Sequence, residues 1–182
     1  SYTPRIGCFY FPDSQWLVDR RLRDFKVFYA FATKGGHNAE PHNHNDLGHF
    51  ILHYDEDRLF CDLGAPEYDR DYFSEHRYSF INACSKGHSV PVINGNYQKD
   101  GFEYNTKVLE CSDKDKTIYN LNLTKAYDLA ELETYTRKYV WDYNNLELEV
   151  KDSFVLAQDE NTIEEVFMTK CPVEFMEDGL LL

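Results

Sequence analysis

The sequence predicts an all-β fold, an antiparallel two-sheet β-sandwich with short helical turns, and three observations carry the prediction. Apolar residues recur with a period of two, turn residues interrupt the chain at short intervals, and aromatics reach 16%, with 14 Tyr and 13 Phe. Alternation places every second side chain on one face of a pleated strand, a surface that suits aromatic and β-branched residues. Many short strands with turns between them close most simply as two packed sheets.

The elements follow in chain order. WLVDRRL fits a strand or a helix, with the strand favoured, and in DFKVFYAFA the residues Phe25, Val27, Tyr29 and Phe31 share one face of an extended segment. His42 and His44, two residues apart on an expected strand, point to one side. A two-residue turn at Glu56-Asp57 would then pair Asp62 with Ile51. Short helical turns are expected only around 69–76 and 125–133. Tyr119, Leu121 and Leu123 alternate with Asn120 and Asn122. TYTRKYVW precedes a turn at Asp142-Tyr143-Asn144-Asn145, after which Leu146, Leu148 and Val150 alternate with Glu147, Glu149 and Lys151 as a half-buried strand.

A chain of 182 residues suits one domain, taken as 1–182, and 42% hydrophobic with 28% charged residues is a globular composition. The ending, EDGLLL, stops on apolar residues, so the domain is expected to belong to a larger two-domain protein. No run reaches the ~18 apolar residues of a membrane helix, and no membrane partner is expected. The net charge of −13 argues against a nucleic-acid backbone as partner. It is uneven: residues 1–36 carry six Lys+Arg against three Asp+Glu, whereas 101–182 carry eight against 18. Five widely spaced cysteines without a CxxC pair read as free, mostly buried thiols. They favour the cytoplasm, with the cell envelope or periplasm as the alternative.

All seven histidines lie between His37 and His88, centred on GGHNAEPHNHNDLGHF. Imidazole is a good zinc ligand, and two His with one carboxylate leave a fourth position for water. Asp62, in the apolar run LFCDLG, needs a compensating partner, and His88 is a further candidate ligand. Strand spacing works against this set, because the pairing of Asp62 with Ile51 leaves His44 seven residues, ~23 Å, further along. Gly48 offers a bend or bulge that would shorten the distance. Two readings stay open on spacing alone: a His/Asp/His metal site, or a polar sheet face of hydrogen-bonded histidines. The letters HNH do not indicate a nuclease in so acidic a chain. A cupin site would begin with Gly36 and His42-x-His44, but its following Glu is replaced by Gly48 or His49, and no Pro-x-Gly precedes His88.

The stretch from about Lys34 to Gly95 resembles the heparinase II/III-like polysaccharide lyases. The resemblance rests on HNHNDLGHF, then LFCDLGAPEYDRDYF, RYSFINA and GHSVPVING, which occur in the family's order. It implies a β-sandwich that faces a helical (α/α) toroid across a catalytic cleft, and a β-elimination of uronic-acid-containing polysaccharide. The substrate class would be an acidic polysaccharide of glycosaminoglycan or alginate type. It also implies a zinc ion, mainly structural, with His44, Asp62 and His88 as ligands, and His42 lining the cleft. Ser89 departs from the family, which usually has Asn there. Elimination requires a neutralised carboxylate, a base for the C5 proton and an acid for the leaving oxygen. Tyr72, ten residues after Asp62, is the first tyrosine candidate, with Tyr78 and Tyr68 behind it. A tyrosine base needs a cationic neighbour to lower a pKa near 10. Arg70 and Arg77 are candidates to grip a carboxylate or sulfate. With the toroid supplying the remaining groups, this part alone is expected to have little activity. The alternative class is a noncatalytic carbohydrate-binding or interaction β-sandwich with structural histidines.

Overall fold

The computed structural model describes residues 5–64 and 76–182. Strands β1 (Gly7–Phe11), β2 (Trp16–Arg23), β3 (Val27–Lys34), β4 (His37–Asn38), β5 (Phe50–Tyr54) and β6 (Asp57–Phe60) lead the chain. After them come β7 (Val92–Ile93), β8 (Gly101–Asn105), β9 (Lys107–Asp113), β10 (Thr117–Asn122), β11 (Leu132–Asp142) and β12 (Glu147–Leu156). Three short strands close it: β13 (Ile163–Glu164), β14 (Glu174–Met176) and β15 (Gly179–Leu181). One sheet runs β1-β2-β3-β5-β6 and a second β12-β11-β10-β9, with antiparallel pairing throughout both. The predicted all-β, two-sheet architecture is therefore the observed one.

Period-two patterning explains how the sheets meet. Tyr29 and Phe31 on β3, Phe50 on β5 and Leu17 on β2 face Tyr119, Leu121, Tyr135, Tyr139 and Trp141 of the second sheet. The rings interlock across the gap, Phe31 lying 5.3 Å from Tyr139 and Phe50 5.7 Å from it. Tilted and edge-on pairs at such distances add to the area they bury.

Local expectations shift where turns intervene. Phe25 does not share the β3 face; it sits in the β2–β3 turn with φ +58° and is 95% exposed. The β5–β6 turn centres on Asp55-Glu56, one residue earlier than expected, because Tyr54 pairs with Asp57 and Asp55 takes φ +54°. The β11–β12 loop spans Tyr143–Leu146, so Leu146 belongs to the turn, and the Asp142 carboxylate accepts the amides of Asn144 and Asn145. Single 3₁₀ turns occupy Arg77–Ser79, Ser85–Gly87 and Thr124–Ala126 rather than 125–133; the expected turn at 69–76 falls almost wholly outside the described residues. Of the five cysteines, each unpaired, only Cys61 is buried, fewer than expected.

A charge lies inside this apolar frame. Arg137 on β11 has the same parity as Tyr135, Tyr139 and Trp141, points inward and is fully buried. Its guanidinium forks onto Asp152, directly opposite on β12, at 2.8 and 2.7 Å, and its Nη2 also reaches Glu165 at 3.3 Å. The other arm, Nη1, donates to the carbonyls of Gly48 (3.0 Å) and Ser89 (2.6 Å). Tyr139 donates its hydroxyl to the same Gly48 carbonyl. Thus one buried cation ties the sheet to two loops, each carrying histidines.

Burial, and next the Asp152 charge, push the Glu165 carboxyl up from 4.5 to about 7, although Arg137 pulls the other way. A folded-state pKa above the unfolded one means that folding stability falls as pH rises from about 4.5 through about 7. The loss is on the order of 1 kcal/mol after discounting for solvent screening at a partly exposed side chain. Melting curves across that range should show this slope, and Glu165→Gln should flatten it; an unchanged slope in the variant would contradict the assignment.

Candidate functional site

The His42–His44 segment is not a strand. It lies in the loop between β4 and β5, and His42 adopts φ +60°. The loop folds back on itself, which removes the ~23 Å separation that an extended chain would impose. Several bonds hold it. Leu47, fully buried, has its amide and carbonyl bracketed by the Gln98 side chain at 2.9 and 2.8 Å. The Asn45 amide donates to the Ala83 carbonyl at 2.8 Å. Gly48 takes φ +79°, and a Cβ there would lie 2.9 Å from a Leu123 methyl, so glycine meets both a backbone and a packing demand.

The second segment, 82–89, is equally constrained. A Cβ on Gly87 would stand 2.0 Å from the Ile81 carbonyl oxygen, a clash with backbone that cannot rotate away. This close turn delivers His88, fully buried, to the face that His44 approaches. Asp62, two residues beyond β6, comes to the same point.

His44 Nδ1 is 3.9 Å and His88 Nδ1 3.2 Å from one oxygen of Asp62. Ligand atoms of His44, Asp46, Asp62 and His88 all lie within 4.8 Å of one another. In a tetrahedral zinc site with ~2.0–2.1 Å bonds, ligand atoms stand ~3.3 Å apart, so the set has the right scale. Asp46 is already engaged, accepting Lys34 Nζ at 2.6 Å. His44, Asp62 and His88, the three residues singled out as ligands, are brought together.

The hydrogen-bond partners distinguish a nitrogen that could hold a metal from one that could not. His88 Nε2 lies 3.1 Å from the Asn82 carbonyl, which can only accept, so that nitrogen carries a proton. In the neutral ring Nδ1 then has a bare lone pair, buried and without a hydrogen-bond partner, facing the Asp62 carboxylate. Two lone pairs at 3.2 Å repel unless a cation or proton stands between them. His49 is the reverse case. Its Nδ1 accepts the Ser89 amide at 2.9 Å, so the proton sits on Nε2, 4.0 Å from Asp62. A protonated nitrogen has no lone pair for a metal, so a third histidine, His49, flanks the cluster without belonging to it.

Titration directions agree with an enclosed site. Burial, then the proximity of His88, pushes His49 down to about 4, and burial lowers His44 as well. Burial alone would raise the Asp62 carboxyl; a proton or positive charge at His88 Nδ1, in place of the bare lone pair, together with the Gly64 amide at 2.6 Å and His49, outweighs it and holds Asp62 well below the usual carboxylate range. Ser89, the departure from the family pattern, orients His49 through its amide, while its hydroxyl accepts the Met168 amide at 2.9 Å.

Beside this cluster opens a cleft of about 490 Å³, whose lining includes His37, His42, His44, Lys34, Trp16 and Asp62. His42 is exposed at its edge. Arg77 donates to the carbonyls of His42 (2.8 Å) and Asn43 (2.9 Å), and the Tyr78 hydroxyl donates to Asn43 Oδ1 at 2.9 Å. Both therefore clamp the loop that carries His42. Tyr68, Arg70 and Tyr72 lie outside the described residues. Arg137, Gln98, Asn82 and Trp16 were not among the residues read from the sequence as functional. For Arg137 a signal existed, since it has the parity of the inward-facing tyrosines of β11.

A family model described as heparinase II/III-like, C-terminal, matches residues 3–175. A solved heparinase III gene product with methylated lysines is similar with a TM-score of 0.73 at 12% identity, over 97% of this chain and 26% of that one. A heparan sulfate lyase HepC mutant from Pedobacter heparinus gives 0.63 at 12% identity, over 85% and 23%. No curated protein sequence matches. At these identities the likeness is one of fold, and the chain spans about a quarter of the length of those structures. With a family match that runs through nearly all of its strands, this chain belongs to the heparinase II/III-like family, as its C-terminal domain.

Proposed function

We propose that the chain is the β-sandwich part of a polysaccharide lyase that cleaves a uronic-acid-containing polysaccharide by β-elimination, with zinc held by His44, Asp62 and His88. The observation that carries this reading is the division of labour on one loop: His42 opens to the cleft while His44 turns to Asp62. Family membership and the similarity to a heparinase III and a heparan sulfate lyase support the substrate class. A helical toroid partner closes the cleft from the other side.

Two imidazoles and a carboxylate are borderline ligands that suit zinc, and the orphaned lone pair on His88 Nδ1 gives it a buried place. Bound there, the ion supplies fixed positive charge that neutralises Asp62 and joins the β4–β5 loop to the segments at 62 and 88. The chemistry belongs to other groups. His42 donates a hydrogen bond to the substrate carboxylate, which makes the neighbouring C5 proton more acidic. Tyr72, as the tyrosinate, takes that proton, the bond to the leaving glycosidic oxygen breaks as the C4–C5 double bond forms, and the proton now on the Tyr72 hydroxyl is passed to that oxygen, which restores the tyrosinate. Arg77 and Tyr78 keep the His42 loop in position.

The test uses the full-length protein and a panel of uronate polysaccharides, with formation of the unsaturated uronate followed by ultraviolet absorbance. Wild type should form it, and His42→Ala should lower the rate by about 10²-fold or more. No unsaturated product from any of these polymers, with folded wild-type protein, would overturn the lyase reading in favour of a carbohydrate-binding module.

A further inference from the structure

The cleft has a second wall that neither the metal cluster nor His42 accounts for. It is the outer face of the five-stranded sheet. Leu17 and Asp19 of β2 turn inward, so Trp16 and Val18 turn outward. Trp16 pairs directly with Lys34, Val18 with Ala32, and Ala32 with Ile51. Residues in register on neighbouring antiparallel strands point to the same face, and all five line the cleft. The result is a small apolar floor with an indole at one edge, 48% exposed, and the Lys34 ammonium 5.8 Å above its ring.

From this arrangement we infer that Trp16 is a sugar-stacking platform, which holds a pyranose ring of an acidic polysaccharide next to the ring that His42 engages. The inference rests on the lyase reading for the direction of the chain along the cleft. A pyranose has an apolar face of C–H groups and a polar rim; an aromatic surface beside polar groups matches that division. The neighbouring wall supplies a cation, Lys34, within reach of a ring carboxylate, while its own carboxylate partner Asp46 keeps the ammonium oriented at 2.6 Å. Among these features the acidic sugar is the occupant that uses both the apolar floor and the charge. The other tryptophan, Trp141, is 2% exposed in the core, so Trp16 alone of the pair is open to a ligand.

Binding is measured without turnover, by calorimetry, with heparan sulfate and alginate tetrasaccharides as probes on wild type, Trp16→Ala and Trp16→Phe. Tryptophan fluorescence of the wild-type chain is titrated in parallel. At least one probe should bind, with a saturable change in Trp16 emission. Trp16→Ala should weaken binding by about tenfold, and Trp16→Phe, which keeps a ring, should retain most of it. Equal binding by all three proteins overturns the inference and marks this face as one covered by another part of the protein. Binding without an emission change, or no binding of either probe, overturns it too. Because no product is formed in these assays, loss of the platform is distinguishable from failure of the lyase reading, which is tested by unsaturated product alone.

Discussion

Arg137→Met is expected to destabilise the chain by about 3–5 kcal/mol, which is a large part of the 5–15 kcal/mol typical of a whole domain. The guanidinium is fully buried, and its removal strands Asp152, Glu165 and the Ser89 carbonyl together and leaves the Gly48 carbonyl only its bond from Tyr139. A buried charge left without its partner costs more than the pair contributed, because its desolvation is no longer offset. Arg137→Lys keeps the charge but has one ammonium in place of a planar fork, so it cannot serve Asp152 and both loop carbonyls at once. It should fall between wild type and Arg137→Met in urea unfolding. A loss below about 1 kcal/mol in Arg137→Met would show that the loops hold themselves in place without this residue.

The second large effect concerns the histidines that surround Asp62. His88→Ala should weaken binding at the proposed zinc site by several orders of magnitude, because it removes the Nδ1 lone pair that remains when Nε2 donates to the Asn82 carbonyl. His49→Gln should cost only about 10–100-fold, the size of a change in the surroundings of a ligand, since Ser89 fixes the His49 proton on the nitrogen nearer Asp62. Competition with a chelator of known affinity measures both. Equal losses would mean that His49 is itself a ligand, with its hydrogen bond to Ser89 rearranged.

Much of the sandwich was legible because strand alternation is a local property. The inward set of β10 and β11, Tyr119, Leu121, Tyr135, Tyr139 and Trp141, follows from counting every second residue. Turn positions were legible to within a residue, and missed by one where left-handed conformations at Asp55 and Leu146 set the register. The site was harder. Local counting kept His42 and His44 on a strand and far from Asp62; what folds them back is long-range, the grip of Gln98 on Leu47 and of Arg137 on Gly48. Only the ordered motifs of a family pointed to His44, Asp62 and His88 as one group. Arg137 escaped notice because a charge amid tyrosines reads as solvent-facing until its parity on β11 is taken seriously.

The proposed zinc centre depends on the β4–β5 loop, Asp62 and His88 meeting at the edge of the cleft. Elemental analysis of the purified, unchelated protein beside His44→Ala, Asp62→Ala and His88→Ala tests it most directly. About one zinc per chain is expected in wild type, lost in each variant that remains folded. A folded wild-type protein without metal after incubation with zinc, or metal retained undiminished in all three variants, would contradict it.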